Sequence, residues 1–209
     1  MDAASWDDRY AGSELVWSAE PNRFVEAETA SLAPGRALDV AAGEGRNAIW
    51  LAQQGWTVSA VDFSQVGLEK GEHAAQALGV GGRVEWICAD VRAWSPPASA
   101  YDLVVVAYLH LVAEDLAKVV TRAAAGLRPG GRLVGVGHDL VNPRDGVGGP
   151  QDPAVLWTPG QLRSLLTNSG LAVDTCSTVE RSTPAGAAYD TLVTATAREP
   201  PEDPGPSYS

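Results

Sequence analysis

The stretch Leu38-Asp39-Val40-Ala41-Ala42-Gly43-Glu44-Gly45-Arg46-Asn47 decides how this chain is read. An apolar run carries an acid near its end, and a glycine-bearing turn then leads into a helix-like segment. A second apolar run, residues 58–61, delivers another acid, Asp62, nineteen residues beyond Gly43. Glycine lets a backbone approach a ligand closely, and a carboxylate at a strand end can accept hydrogen bonds from both hydroxyls of a ribose. The pattern predicts a nucleoside-containing cofactor at the carboxyl edge of a parallel sheet.

Outward from that turn, strand-like and helix-like segments alternate, as in a doubly wound α/β sheet. Strands are expected at 36–41, 57–61, 83–88, 101–107 and 132–136. Between them come a helix at 46–54 stopped by Gly55, a helix at 65–78 capped by Ser64, and a third after strand four. In that third helix Leu116, Val119, Val120, Ala123, Ala124 and Leu127 form one apolar face at three-four spacing. Arg128-Pro129-Gly130-Gly131 is a stop and turn before strand five. Residues 139–158 hold several glycines and prolines without periodicity and are expected to be a functional lid. Thr158-Pro159 opens a last helix to about 169. Two final strands, 171–181 and 187–197, joined by 182–186, are expected to pair antiparallel. The fold expected is a single α/β domain with a seven-stranded, mostly parallel, Rossmann-like sheet and an antiparallel last strand. Residues 1–30 would cap it, 31–198 would form the domain, and 199–209, rich in proline, would be a disordered tail.

The chain has 209 residues and a net charge of −11. That balance, with no basic stripe, argues against a nucleic-acid partner and for a small molecule. No run approaches the roughly 18 apolar residues of a membrane span. The acidic N-terminus does not read as a secretory signal, so a cytoplasmic protein is expected. Cys88 and Cys176 fall inside apolar strand patterns and read as reduced core thiols. No His, Cys or Asp cluster has metal-ligand spacing.

In motif and order the chain resembles the class I S-adenosylmethionine-dependent methyltransferases. Residues 38–45 look like that family's acid-then-glycine loop, and Val61-Asp62 like its ribose-binding acid. Ala89-Asp90-Val91 resembles the segment that meets the adenine, and Leu127-Arg128-Pro129-Gly130-Gly131 the turn before strand five. Within the family, residues 43–48 with 56–64 are similar to small tellurite-resistance and thiopurine-type methyltransferases. One departure is Ala41, where the family usually has glycine; alanine fits if its φ is negative.

The resemblance implies S-adenosylmethionine as cofactor, S-adenosylhomocysteine as product and a small-molecule methyl acceptor. It places Asp39, Ala41, Gly43, Gly45, Asn47, Asp62, Phe63, Ser64, Asp90, Val91 and Ala107 around the cofactor. Asp62 would hold the ribose, Asp39 the loop amides or, through water, the cofactor's ammonium, and Phe63 one face of the adenine or only the core. Asp90 would accept from the adenine amino group, with Val91 donating its amide, or would merely cap a turn. Arg46 would meet the cofactor carboxylate or a substrate anion. Trp6, Tyr10 and Trp17 would form a lid over cofactor or substrate, or anchor a helix on the sheet.

At the ends of strands four and five stand Tyr108, His110, His138 and Asp139, bordering the crevice where ligands bind in open sheets. A histidine there could take the acceptor's proton, so His110, His138 and Tyr108 are the candidate catalytic residues. Methyl transfer to an already ionised nucleophile needs no base, only alignment and desolvation. His73 reads as a solvated helix residue. Two other readings stay open: a non-catalytic cofactor-binding or sensor module on the same fold, and a nicotinamide-dependent oxidoreductase, since residues 43–48 also fit G-x-G-x-x-A. Asp39 ahead of the glycines and the absence of a second substrate domain disfavour the latter.

Overall fold

A computed structural model describes residues 3–12 and 14–198; the expected tail lies outside the described residues. The chain begins with two helices, α1 (Ala3–Tyr10) and α2 (Arg23–Thr29), ahead of β1 (Arg36–Val40). There follow α3 (Arg46–Gln53), β2 (Thr57–Asp62), α4 (Gln65–Ala77), β3 (Val84–Cys88), β4 (Tyr101–Ala107) and α5 (Ala113–Ala125). The last third holds β5 (Leu127–His138), the short α6 (Asn142–Asp145), α7 (Pro159–Asn168), β6 (Leu171–Thr183) and β7 (Gly186–Ala197). The strands form one seven-stranded sheet in the order β3-β2-β1-β4-β5-β7-β6. Only β7 runs against its neighbours, pairing antiparallel with both β5 and β6.

Strand alternation explains why both faces are covered. Leu38, Val40, Val104 and Val106 turn to one side, where they meet Leu116 and Val119 of α5 and Leu162 and Leu166 of α7. Ala37, Val58, Leu103 and Val105 turn to the other, against Val25 of α2 and Ala48 and Leu51 of α3. The α5 stripe read from the sequence is buried as far as Ala124. Local signals set the helix starts: Ser64 Oγ accepts from the Gly67 amide and Thr158 Oγ1 from the Gln161 amide.

The structure corrects four expectations. First, α5 ends at Ala125, and Arg128-Pro129-Gly130-Gly131 lies inside a longer β5, with the register broken between Tyr101 and Leu103. Second, residues 139–158 are anchored rather than a free lid. Trp157 is fully buried and donates Nε1–H to the Leu109 carbonyl (3.2 Å), while the buried Asn142 takes the Tyr189 amide (2.7 Å) and donates to the Gly148 carbonyl (2.9 Å). Third, Asp139 is structural. Its carboxylate accepts from the Val141 amide and from the hydroxyls of Thr178 (2.8 Å) and Thr191 (2.7 Å), which ties it into the β6–β7 hairpin and the turn after β5. Fourth, Cys88 is exposed at the end of β3 and is no core thiol; Cys176 is half-buried.

Candidate functional site

The strand order reverses between β1 and β4, and the loops after these strands flank the crevice that such a switch point opens. Asp62 closes β2 with its carboxylate 5% exposed; Oδ2 accepts from the Gly43 amide and Oδ1 from the Ser64 amide, both at 2.9 Å. Each oxygen keeps a second lone pair, so the group can still accept from two hydroxyls. Burial raises its pKa, and the amides of Ser64, Gly43 and Phe63 pull it back. Asp39 is more deeply placed, at 1% exposure, and its Oδ2 has no hydrogen-bond partner. Burial pushes its pKa up to about 7, against the Ala48 amide and the nearby Arg46.

The turn between these acids is tight. Gly43 and Gly45 have φ of +58° and +73°, and Ala41 also sits at +58°, so the expectation of a negative φ there is corrected. The bend that carries the Ala42 amide to the Val61 carbonyl (3.0 Å) imposes this conformation. An L-residue pays roughly 1–2 kcal/mol for it. A Cβ on Gly43 would lie 2.6 Å from Tyr10 Oη, and one on Gly45 would run into the Trp86 ring.

The N-terminal arm lies over this turn. Tyr10 is 4% exposed, stacks on Trp6 with ring centroids 5.3 Å apart, and accepts from Trp17 Nε1 (3.4 Å). Burial pushes its hydroxyl pKa up to about 12. Asp7 accepts from Ser64 Oγ (2.6 Å) and the Val66 amide (3.3 Å), docking α1 on the start of α4. Glu44, between the two glycines, accepts from the Val16 (3.0 Å) and Trp17 (3.3 Å) amides and pairs with Lys70 Nζ at 2.7 Å. Lys70 also donates to the carbonyls of Tyr10, Gly12 and Glu14 at 3.2, 3.0 and 2.7 Å. One ammonium and one carboxylate therefore strap residues 10–17 to the body.

On the other side of the crevice, Tyr108, His110, His138, Arg181 and Asp190 converge. Asp190 on β7 stands directly opposite His138 on β5 and is fully buried. Its Oδ2 accepts from Tyr108 Oη (2.9 Å) and Arg181 Nε (2.8 Å). Its Oδ1 lies 3.1 Å from His138 Nδ1, in ion-pair range though off the hydrogen-bonding line. Burial raises the Asp190 pKa, but His138, Arg181 and Tyr108 outweigh it and hold the carboxyl below its ordinary value. Tyr108 adopts φ +55°, a conformation unfavourable for a bulky residue, and burial beside Asp190 pushes its hydroxyl to about 12. His110 Nε2 accepts the His138 backbone amide (3.2 Å), and burial next to His138 lowers its pKa to about 4. Its basic nitrogen is thus already occupied. Arg46, at the start of α3, is half-buried among Tyr108, Asp39, Arg181 and Tyr10, with its pKa lowered by burial. Its guanidinium has no hydrogen-bond partner among the described residues.

Other predicted positions serve the scaffold. Asn47 Oδ1 accepts the Asn22 amide (2.9 Å), tying α2 to α3. The side chain of Ser64 caps α4 and holds Asp7. Asp90 grips Arg92 through both oxygens (2.7 and 3.0 Å) and caps its own turn, and Val91 packs into the core. Phe63 and Ala107 are half-buried at the ends of β2 and β4. His73 is exposed, as expected. Sequence reasoning missed Glu44, Lys70, Arg181 and Asp190. For Asp190 a signal existed, the one charged residue in the run 187–195. No group of His, Cys, Asp and Glu able to hold a metal occurs among the described residues.

Residues 37–131 match the family model described as a methyltransferase domain. A demethylmenaquinone methyltransferase from Clavibacter sepedonicus is 34% identical over 124 residues, 59% of this chain. The chain spans about half (47%) of that relative's length. Among solved structures, an S-adenosylmethionine-dependent methyltransferase from Methanosarcina mazei superposes with a TM-score of 0.68 at 19% identity, covering 87% of this chain and 100% of that one. The magnesium protoporphyrin IX methyltransferase of Synechocystis, with S-adenosylhomocysteine bound, gives 0.68 at 20% identity over 93% and 94% of the two chains. Residues 37–131 thus resemble a methyltransferase domain, and the chain shares the fold of solved S-adenosylmethionine-dependent methyltransferases.

Proposed function

We propose that this protein moves a methyl group from S-adenosylmethionine to a small-molecule acceptor. When bound, the cofactor supplies an electrophilic methyl group on a sulfonium. The observation that carries the reading is the pair of buried acids flanking the glycine turn, one of them with an orphaned oxygen. Asp39 Oδ2 has no partner in the protein, and a buried acceptor left unmade is costly; an ammonium nearby satisfies it. Asp62, already aimed by two amides, accepts from the ribose hydroxyls. Tyr10 and Trp17 cover the turn from above, and Gly43 and Gly45 let Tyr10 and Trp86 pack close against its backbone. Phe63 and Ala107 line the neighbouring strand ends, where they border the nucleoside.

The acceptor enters beside Tyr108, His138 and Arg46, and the arm excludes water from the line of attack. Residues 1–30 act as the cap and 31–198 as the catalytic body. The turn at residues 43–48 with 56–64 supports kinship with the small tellurite-resistance and thiopurine-type enzymes. The −11 charge supports small molecules and not nucleic acid as partners; among the described residues no helix is long and apolar enough to cross a membrane.

Titration calorimetry with S-adenosylhomocysteine tests the reading. Replacing Asp62 by Ala removes charge-assisted bonds worth about 2 kcal/mol or more, at least a roughly 30-fold loss of affinity. Unchanged affinity would overturn the assignment.

A further inference from the structure

We infer that the edge of the sheet opposite the cofactor crevice carries a second small-molecule site, built to take a carboxylate on a small apolar body. It lies outside the methyl-transfer site and does not depend on that reading.

The site is a pocket of about 310 Å³ at the amino ends of the parallel strands. That is the small end of the roughly 300–1,000 Å³ that ligand pockets span. Leu32 lies ahead of β1 and Trp56 just ahead of β2, while Asp102 stands near the start of β4 and Arg128 and Arg132 near that of β5. The length of β4, roughly 20 Å, separates this edge from Tyr108 and the crevice.

The Pro-Gly-Gly turn shapes the pocket. Between the pairs Tyr101–Leu127 and Leu103–Arg132, β4 advances two residues and β5 advances five. The surplus is taken up in a bulge through Gly130, at φ +74°, and Arg128 and Arg132 come to flank one hollow. Gly131 has no room for a side chain there, because its Cβ would come 2.8 Å from the Arg128 carbonyl.

One donor in this wall is unmet. Arg132 Nε is buried and has no hydrogen-bond partner among the described residues. Its Nη2 reaches Glu28 at 3.2 Å, in a pair whose side chains are 30% and 28% exposed, and that contact leaves Nε untouched. Arg128 gives Nη1 to Asp102 Oδ1 (2.8 Å), and Asp102 Oδ2 takes the Arg36 amide (2.7 Å). Both oxygens of Asp102 are thus engaged elsewhere. A guanidinium N–H only donates, and the acceptor it holds most strongly is an ionised oxygen such as a carboxylate's. Asp102 and Glu28 oppose a second negative charge, so a monoanion fits better than a phosphate dianion. Leu32, Ala33, Trp56 and Pro129 make the rest of the wall apolar, a surface that receives a compact aromatic or aliphatic body.

Titration of the full, uniformly ¹⁵N-labelled chain with sodium benzoate, benzamide and inorganic phosphate, followed by NMR, tests the site. Benzoate should shift the amides of Gly130, Gly131 and Arg132 and the Trp56 indole saturably, while Gly43 stays in place. Benzamide and phosphate should bind at least about ten-fold more weakly. Arg132→Met should weaken benzoate by at least about ten-fold; Arg132→Lys, which keeps the charge but lacks the Nε–H, should lose nearly as much and stands in if the first variant fails to fold. Benzamide or phosphate binding as well as benzoate overturns the proposal. So do unchanged affinity in the folded variants, shifts centred on Arg46 in place of the turn, and the absence of saturable shifts at the turn.

Discussion

Replacing Lys70 by methionine should release the N-terminal arm while leaving the body folded. The ammonium makes three bonds to arm carbonyls and one ion pair with Glu44, whose side chain is 4% exposed while that of Lys70 is 20% exposed. Breaking a fully buried pair costs about 3–5 kcal/mol. Here the lysine is partly solvated, Glu44 keeps the Val16 and Trp17 amides, and water can replace part of what is lost, so about 2 kcal/mol is the expected penalty. Because the contacts join one segment to the body, the loss falls on local opening of residues 10–17 rather than on global unfolding. Two kcal/mol corresponds to a roughly 30-fold rise in that opening. Hydrogen exchange followed by mass spectrometry reads it directly: peptides covering 10–17 lose about 30-fold in protection, and peptides from β1 and β4 do not change. Arm protection within about three-fold of wild type would refute the reasoning that Lys70 is the strap.

Two further predictions follow from the same turn. Ala41→Gly relieves the left-handed strain at φ +58°, offset by the freedom glycine gains in the unfolded chain, for a net gain of about 0.5 kcal/mol and a midpoint rise of about 1–2 °C; a fall in the thermal midpoint would contradict the assigned geometry. Asp39 is protonated in the folded state up to about pH 7 but ionised above its ordinary value near 3.8 in the unfolded chain. The native state therefore binds the extra proton across that window, and unfolding free energy falls as pH rises through it. Asp39→Asn should flatten this slope and be the more stable protein above pH 7 by a few kcal/mol, measured by denaturant titration; a variant that keeps the wild-type slope would assign it elsewhere.

The glycine turn and its two flanking acids were legible because they are written in one short stretch and one strand end. Asp39, Gly43, Gly45 and Asp62 lie close in sequence, and apolar runs beside an acid reveal the strand that aims it. The cluster across the crevice was only partly legible. Tyr108, His110 and His138 could be placed at strand ends, but Asp190 and Arg181 reach them through the β6–β7 hairpin register, which no local motif encodes. Glu44 read as a spacer between glycines, and its partners in the arm are 27 and 28 residues away. Asp139 was misplaced for the opposite reason. It shares a strand end with His138, and only the two threonines on β6 and β7 show that its carboxylate is committed inward. The conformation of Ala41 could not be read because alanine normally avoids it, and tertiary hydrogen bonding overrides that preference here.

A crystal structure of the protein grown with S-adenosylhomocysteine tests the central claim most directly. The account predicts the ribose hydroxyls on the Asp62 carboxylate, the ammonium within reach of Asp39 Oδ2, and the sulfur facing the crevice beside Tyr108 and His138. A nucleoside lodged away from the β1 and β2 strand ends, or an occupied crevice in which Asp62 touches no ribose oxygen, would contradict it.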